Sequence, residues 1–228
     1  MSKKIGISQE GLKLLACATM LVDHIGAVFF PGLIWLRIIG RISFPIYCFL
    51  LAEGIHHTHS PIKYGLRLLL VALICELPYD LLFYGRFTWA KNNVMVTLLL
   101  GFLGGMAIRH STGWWKLIAA APFLLLGRYC GGSYGMYGVA MVLLFVITRD
   151  FTGQQILQLC FMILLSLRMA GFPGTIGIQV YAIAAMIPIW LYKGEKRSHN
   201  KAMQWTLTLF YPVHMILLLL IRQILHLL

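Results

Sequence analysis

Residues 11–31 read GLKLLACATMLVDHIGAVFFP, a run of span length that dissolves in lipid everywhere except at Lys13, Asp23 and His24. A bilayer core is crossed by about 20 predominantly apolar residues, so this run has the dimensions of a transmembrane helix. Ionisable groups inside such a segment are costly, and by default they mark a functional site.

The rest of the chain has the same character. Of its 228 residues, 60% are hydrophobic and 11% charged, and the mean hydropathy is +0.81. A soluble domain runs nearer 45–50% apolar and about 25% charged. The composition predicts an all-α, polytopic integral membrane protein. With a short basic leader, no cleavable signal and no appended soluble region, residues 1–228 are expected to form a single transmembrane domain.

The net charge of +12 does not point to nucleic acid, because most Lys and Arg fall at span ends, where the positive-inside rule places them. The five cysteines, Cys17, Cys48, Cys75, Cys130 and Cys160, are scattered singly through apolar segments. They match neither a disulfide framework nor metal-ligand spacing.

Apolar runs divided by short polar turns predict about nine spans in one bundle, at roughly 12–30, 33–52, 62–83, 94–108, 114–127, 135–148, 154–170, 175–192 and 204–226. With the N-terminus inside, the cytoplasmic segments hold Lys3, Lys4, Lys63, Arg109, Lys116, Arg149, Lys193, Lys196, Arg197 and Lys201, against Arg86, Lys91 and Arg128 outside. That asymmetry predicts a plasma-membrane protein with a cytoplasmic N-terminus.

The polar residues inside the spans can be placed by height. Lys13 and His24 are eleven positions apart, about 16–17 Å of helical rise and within about 20° of the same direction. Asp23 lies about 100° around the helix from His24, where it can brace a neighbouring helix. Arg37 and Arg41 share a face of the second span, and Glu76 and Asp80 share a face of the third. Matching heights predict an antiparallel ladder, Arg41 with Glu76 and Arg37 with Asp80, because buried charges are paired.

His24 is the candidate general base: imidazole suits proton transfer near neutrality. His214, in FYPVHM, follows a kinking proline and is a second polar candidate. Arg67, Arg168 and Arg222 complete the intramembrane set. His56, His57 and His59 form a cluster without a carboxylate or cysteine at metal spacing, so no metal site is expected. GRYCGGSYGMYG (127–138) lacks the Lys-Ser/Thr ending of a P-loop and reads as a tight turn with close helix packing.

LKLLACATMLVDHIGAVFFP (12–31), LRIIGRISFPIYCFLLAEGIHHT (36–58), YGLRLLLVALICELPYDLLF (64–83) and NNVMVTLLLG (92–101) together resemble the TraX family, known for acetylation of F-pilin. YGMYGV and FYPVHMILLL extend the resemblance over nearly the whole chain. The family is similar in turn to membrane acyltransferases that acetylate surface glycans. Those carry a basic residue, ten intervening positions and a histidine, a spacing that Lys13 and His24 reproduce. One departure is Ser133, which stands where the family pattern has an acidic residue.

The resemblance implies an acyltransferase moving an acetyl group from cytoplasmic acetyl-CoA to an amine or hydroxyl at the membrane or its outer face. The acceptor is a pilin-like peptide or a glycan. In that reading His24 acts as base, assisted by Asp23 and His214. Lys13, Lys63, Arg67 and Lys116 hold the CoA phosphates, which lysine binds as a point charge. Arg37, Arg41, Glu76 and Asp80 organise the site or stabilise an oxyanion. Membrane lipid is the surrounding partner. A proton-coupled transporter or channel is the alternative use of such residues, but no inverted repeat supports it. A scaffold that binds another membrane protein is a further rival.

Overall fold

The structure, a computed structural model, describes residues 6–88, 92–130, 133–149, 153–169, 176–194 and 201–227. Lys3, Lys4, Lys91, Lys196 and Arg197 lie outside the described residues, as do Gly131 and Gly132 of the glycine-rich turn and the side chains of Arg168 and Lys201.

Every regular element among the described residues is helical: α1 (Gln9–Phe29), α2 (Ile34–Gly40), α3 (Ser43–His57), α4 (Pro61–Tyr84), α5 (Val94–Arg109), α6 (Trp115–Tyr129), α7 (Gly135–Thr148), α8 (Gln154–Met169), α9 (Ile176–Gln179), a 3-10 segment (Val180–Ala185), α10 (Met186–Trp190) and α11 (Lys201–Leu227). The all-α class is therefore observed. Among the described residues, two segments, Gln9–Phe29 and Ile34–His57, are long and apolar enough to cross a membrane, both near the N-terminus.

Helices stand at each expected position, but two are not the single rods the hydropathy suggested. The segment expected at 33–52 is broken at Arg41–Ile42. Pro45 explains the break. A proline has no N–H for the carbonyl four residues earlier and its ring clashes with that carbonyl, which here belongs to Arg41. The chain turns and restarts at Ser43, whose Oγ donates to the Ala16 carbonyl at 2.8 Å and ties the new helix to α1. The segment expected at 175–192 is α9, the 3-10 segment and α10 in series. Pro188 withdraws the donor that the Ala184 carbonyl would use, and the tighter 3-10 winding lies just before it.

The chain divides into two compact units, Met1–Leu50 with Leu159–Leu228, and Leu51–Gln158. In unit 1, α1 is the central rod. Ser8 caps it by accepting the Gly11 N–H at 3.1 Å. One face carries Leu12, Ala16, Thr19, Asp23 and Gly26, all buried, at the three-to-four residue spacing of a helix stripe. That face meets α2, and the approach is close because glycines line it. A Cβ on Gly26 would stand 2.6 Å from Cβ of Leu36, and one on Gly40 would collide with the Asp23 side chain. Such small-residue contacts let helix backbones approach. Ile7 pairs with the residues that follow α10, its N–H donating to Leu191 O at 2.7 Å and its carbonyl accepting from Lys193 N–H at 3.0 Å.

Unit 2 is built around α7. Residues Met141–Val146 are all buried, as a helix apolar on every side must be. Its neighbour α5 approaches through Gly101, where an added Cβ would meet Val142 Cγ2 at 2.8 Å. Asn93 caps α5, Oδ1 accepting the Met95 N–H at 2.8 Å. Ser133 orders the turn before α7: its Oγ donates to Asn92 O at 3.1 Å and, that proton being committed, accepts from Tyr79 at 2.7 Å.

Candidate functional site

Asp23 and His24 are neighbours in sequence that face different helices, as their roughly 100° offset dictates. Asp23 is 8% exposed and turns to α2. Arg41 Nη2 donates to Oδ1 at 2.6 Å and Oδ2 at 2.8 Å. Arg37 Nη1 stands 3.0 Å from Oδ2 and also donates to the Asp23 carbonyl at 3.0 Å. Arg41 folds back so that Nε donates to Arg37 O at 3.2 Å, and Nη1 reaches buried Gln179 Oε1 at 3.5 Å. The break after Gly40 lets Arg41 make this reach while staying beside α1.

Each of the four residues of the expected ladder has a partner inside its own unit. The partner of Arg37 and Arg41 is Asp23, on α1. Glu76 instead accepts from Asn93, at 3.1 Å from its backbone N–H and 2.5 Å from Nδ2. Asp80 accepts the Thr88 N–H at 2.8 Å. Both acids hold the α4–α5 connection of unit 2.

His24 turns to α11. Its Nδ1 lies 2.8 Å from Nε2 of His214, and His214 Nδ1 lies 2.7 Å from the Phe210 carbonyl. The two imidazole planes differ by only 16° with centroids 5.0 Å apart, so the short contact runs edge to edge. His214 is 3% exposed. The Phe210 ring lies almost parallel to it at 4.9 Å, and Tyr211 stands at 5.6 Å. A carbonyl only accepts, so His214 Nδ1 carries a hydrogen; in the neutral pair Nε2 then accepts from His24 Nδ1, and the lone pair of His24 is on Nε2. A base with this polarity can take a proton from a nucleophile.

Lys13 is half-buried on the His24 stripe of α1, with Cys17 one turn on. Cys17 Sγ lies 3.1 Å from Tyr47 OH, a contact that couples this stripe to α3. Lys63 and Arg67 are exposed one turn apart on α4, and Lys116 is half-buried in the first turn of α6, all three in unit 2.

Sequence reasoning passed over Gln179, Tyr47 and Glu53. Glu53 is buried and pairs with Arg149 at 3.1 Å, while Arg149 Nη2 contacts His57 Nε2 at 3.3 Å and His57 Nδ1 faces Glu53 O at 2.8 Å. Two of the clustered histidines are thus engaged within unit 2, His56 against Val146 O at 3.3 Å. A glutamate in the apolar run FLLAEG was the available signal for this group.

The chain that carries this aspartate–arginine cluster and histidine pair has relatives among known sequences. The family described as TraX protein matches residues 8–222. The chain belongs to the TraX family. It is similar to a probable fimbrial assembly protein FimC, serogroup H1, of Dichelobacter nodosus, 30% identical over 241 residues that cover 96% of this chain and 97% of that one. It is 25% identical to protein TraX of Escherichia coli over 132 residues, 58% of this chain and 52% of that protein. An uncharacterized protein of Rickettsia prowazekii is 32% identical over 93 residues, 41% of this chain and 34% of its own. No solved structure matches.

Proposed function

We propose that this protein is a membrane-embedded acetyltransferase that uses acetyl-CoA, with His24 Nε2 as general base. The observation that carries the proposal is the His24–His214 hydrogen bond, one residue along α1 from an arginine-clamped aspartate. A lipid-soluble helix keeps such a constellation at a cost, and function is the default reason.

In this reading an acceptor amine or hydroxyl gives its proton to His24 Nε2 as its nitrogen or oxygen attacks the thioester carbon. The tetrahedral intermediate collapses by breaking the C–S bond. The imidazolium returns the proton to the departing thiolate or to solvent. Transfer is direct and needs no acyl-enzyme. Well-placed proton transfer of this kind contributes about 10²–10⁴-fold in rate. Arg37 and Arg41, already engaged with Asp23, hold the backbone that bears His24. Their positive potential favours the developing oxyanion.

Lys13 is the unit 1 residue assigned to the CoA phosphates, and the pantetheine arm would follow the Lys13–Cys17–His24 stripe. Lys63, Arg67 and Lys116 are assigned phosphate contacts of their own, each read from binding by its variant. The names of two relatives, a fimbrial assembly protein and TraX, support a pilin-like peptide as the acceptor, with a glycan as the second class.

The same proposal places the chain in the plasma membrane, N-terminus cytoplasmic, with about nine crossings. Supporting it, the 21 residues of α1 rise about 30 Å, the thickness of a hydrocarbon core. Leu66, Leu70, Leu73 and Leu77 leave a continuous apolar face of α4 exposed, and Leu209, Val213, Leu217, Leu220 and Ile224 do so on α11. Lipid covers such faces at no cost. The stacked Trp114–Trp115 pair beside Lys116 fits an interfacial anchor.

The test is acetyl-CoA binding and slow thioester turnover by protein in lipid nanodiscs. Wild type is expected to bind and turn over, Lys13→Ala to bind more weakly, and His24→Ala to bind without turnover. Folded wild type that binds no acetyl-CoA would refute the proposal and favour the transport reading.

A further inference from the structure

The contact between His24 and His214 has a direction. Resting on the acetyltransferase reading, we infer that His214 is a positioning residue: with the Phe210 carbonyl behind it, it holds His24 in the tautomer that carries hydrogen on Nδ1, so that Nε2 is the only nitrogen of His24 that can act as base.

The chain of bonds begins at the backbone. The Phe210 carbonyl is an acceptor, 2.7 Å from His214 Nδ1, so that nitrogen donates. The opposite nitrogen of His214 is 2.8 Å from His24 Nδ1, and one of the two must donate to the other. If His214 were the donor it would carry hydrogens on both nitrogens. That would add a third positive charge to a cluster of two guanidiniums and one carboxylate. The neutral alternative runs one way only, from His24 Nδ1–H to His214 Nε2 and from His214 Nδ1–H to Phe210 O. Which nitrogen of a histidine bears the proton is set by the bond the other makes.

The clamp on His214 is rigid. Its ring is packed against Phe210, 14° from parallel, and near Tyr211. The preceding Pro212 is buried and lies within α11. His214 cannot swing to offer Nδ1 instead without losing the carbonyl. An unconstrained histidine side chain prefers its hydrogen on Nε2, the wrong nitrogen for a base on that edge. A second group that orients a catalytic imidazole in this way acts through the tautomer and touches no substrate.

The experiment reads the tautomer directly. Protein labelled with ¹⁵N-histidine in nanodiscs, without acetyl-CoA, is examined by long-range ¹H–¹⁵N correlation, with His24→Gln supplying the assignment. Wild-type His24 is expected to show the Nδ1–H pattern. His214→Ala is expected to move it to Nε2–H and to lower kcat by about 10²-fold, with KM for acetyl-CoA unchanged. His214→Gln places a carbonyl oxygen where Nε2 stood, and is expected to restore the Nδ1–H pattern and part of kcat. A wild-type His24 in the Nε2–H form overturns the inference, as does an Nδ1–H pattern that survives in His214→Ala. Should His214→Ala not fold, wild type and His214→Gln decide the matter. The spectrum is taken on the resting protein, so it stands apart from whether turnover is found.

Discussion

Asp23 meets Arg41 through a single nitrogen, Nη2 lying 2.6 Å from one carboxylate oxygen and 2.8 Å from the other, while Arg37 closes on the same carboxylate at 3.0 Å. One acid therefore serves two guanidiniums from the opening of the second hydrophobic segment.

Removing that acid leaves both cations without it. Asp23→Asn is expected to destabilise the fold by about 3–5 kcal/mol, the penalty for breaking a buried ion pair from one side. Arg37→Gln, at a side chain 31% exposed against 14% for Arg41, is expected to cost less than Arg41→Gln. Thermal unfolding of the variants in nanodiscs ranks the three; a smaller loss at Asp23 than at Arg37 would contradict the shared-acid arrangement.

Gly40 is required by the same contact, since any Cβ there collides with Asp23. Gly40→Ala is expected to push α2 from α1, to lower thermal stability and to reduce turnover even though it touches neither histidine. Gly32, which has nothing within 4 Å of an added Cβ, is the control: Gly32→Ala is expected to leave stability within about 0.5 kcal/mol of wild type.

Asn93 carries three loads while wholly buried: it caps α5, and its Nδ2 bonds Ala72 O at 2.8 Å as well as Glu76. Asn93→Ala forfeits a helix cap, worth about 0.5–2 kcal/mol, and the two bonds that Nδ2 makes to Ala72 O and Glu76, at about 0.5–1.5 kcal/mol each, while the residue 93 backbone N–H keeps its bond to Glu76. An overall loss of about 2–4 kcal/mol is expected from these two effects. A denaturation midpoint unchanged in Asn93→Ala would dismiss this role.

Tyr79→Phe deletes the bond to Ser133 and nothing of the ring packing on Phe83. Because Ser133 is exposed, the expected loss is about 0.5–1.5 kcal/mol, and Ser133→Ala is expected to exceed it by also removing the hydroxyl bond to Asn92 O, which keeps the backbone N–H of residue 133 at 3.0 Å. Double-mutant analysis of the pair checks the coupling.

Much of the site is legible in the amino-acid sequence. Helix geometry alone separates Asp23 from His24 by about 100°, and the two residues do address different helices, α2 and α11. The break before α3 is also written in the chain, since Pro45 stands four residues after Arg41, but a hydropathy reading averages across it. The partners are not legible. Arg37 and Arg41 match Glu76 and Asp80 in height as well as they match Asp23, and no periodicity says which acid is adjacent.

What the sequence determined by itself, then, is everything that follows from composition and helical period: an all-helical apolar chain, where its helices lie, and which of their faces carry charge. The tertiary structure decided the pairings. Gly26 and Gly40 draw α2 onto α1 and deliver two arginines to Asp23, and α11 brings His214 across 190 residues to His24. The reason is that helix periodicity acts over a few residues, whereas a hydrogen bond between distant residues depends on which surfaces can approach closely enough to pack. That is a property of the assembled helices and of no single one.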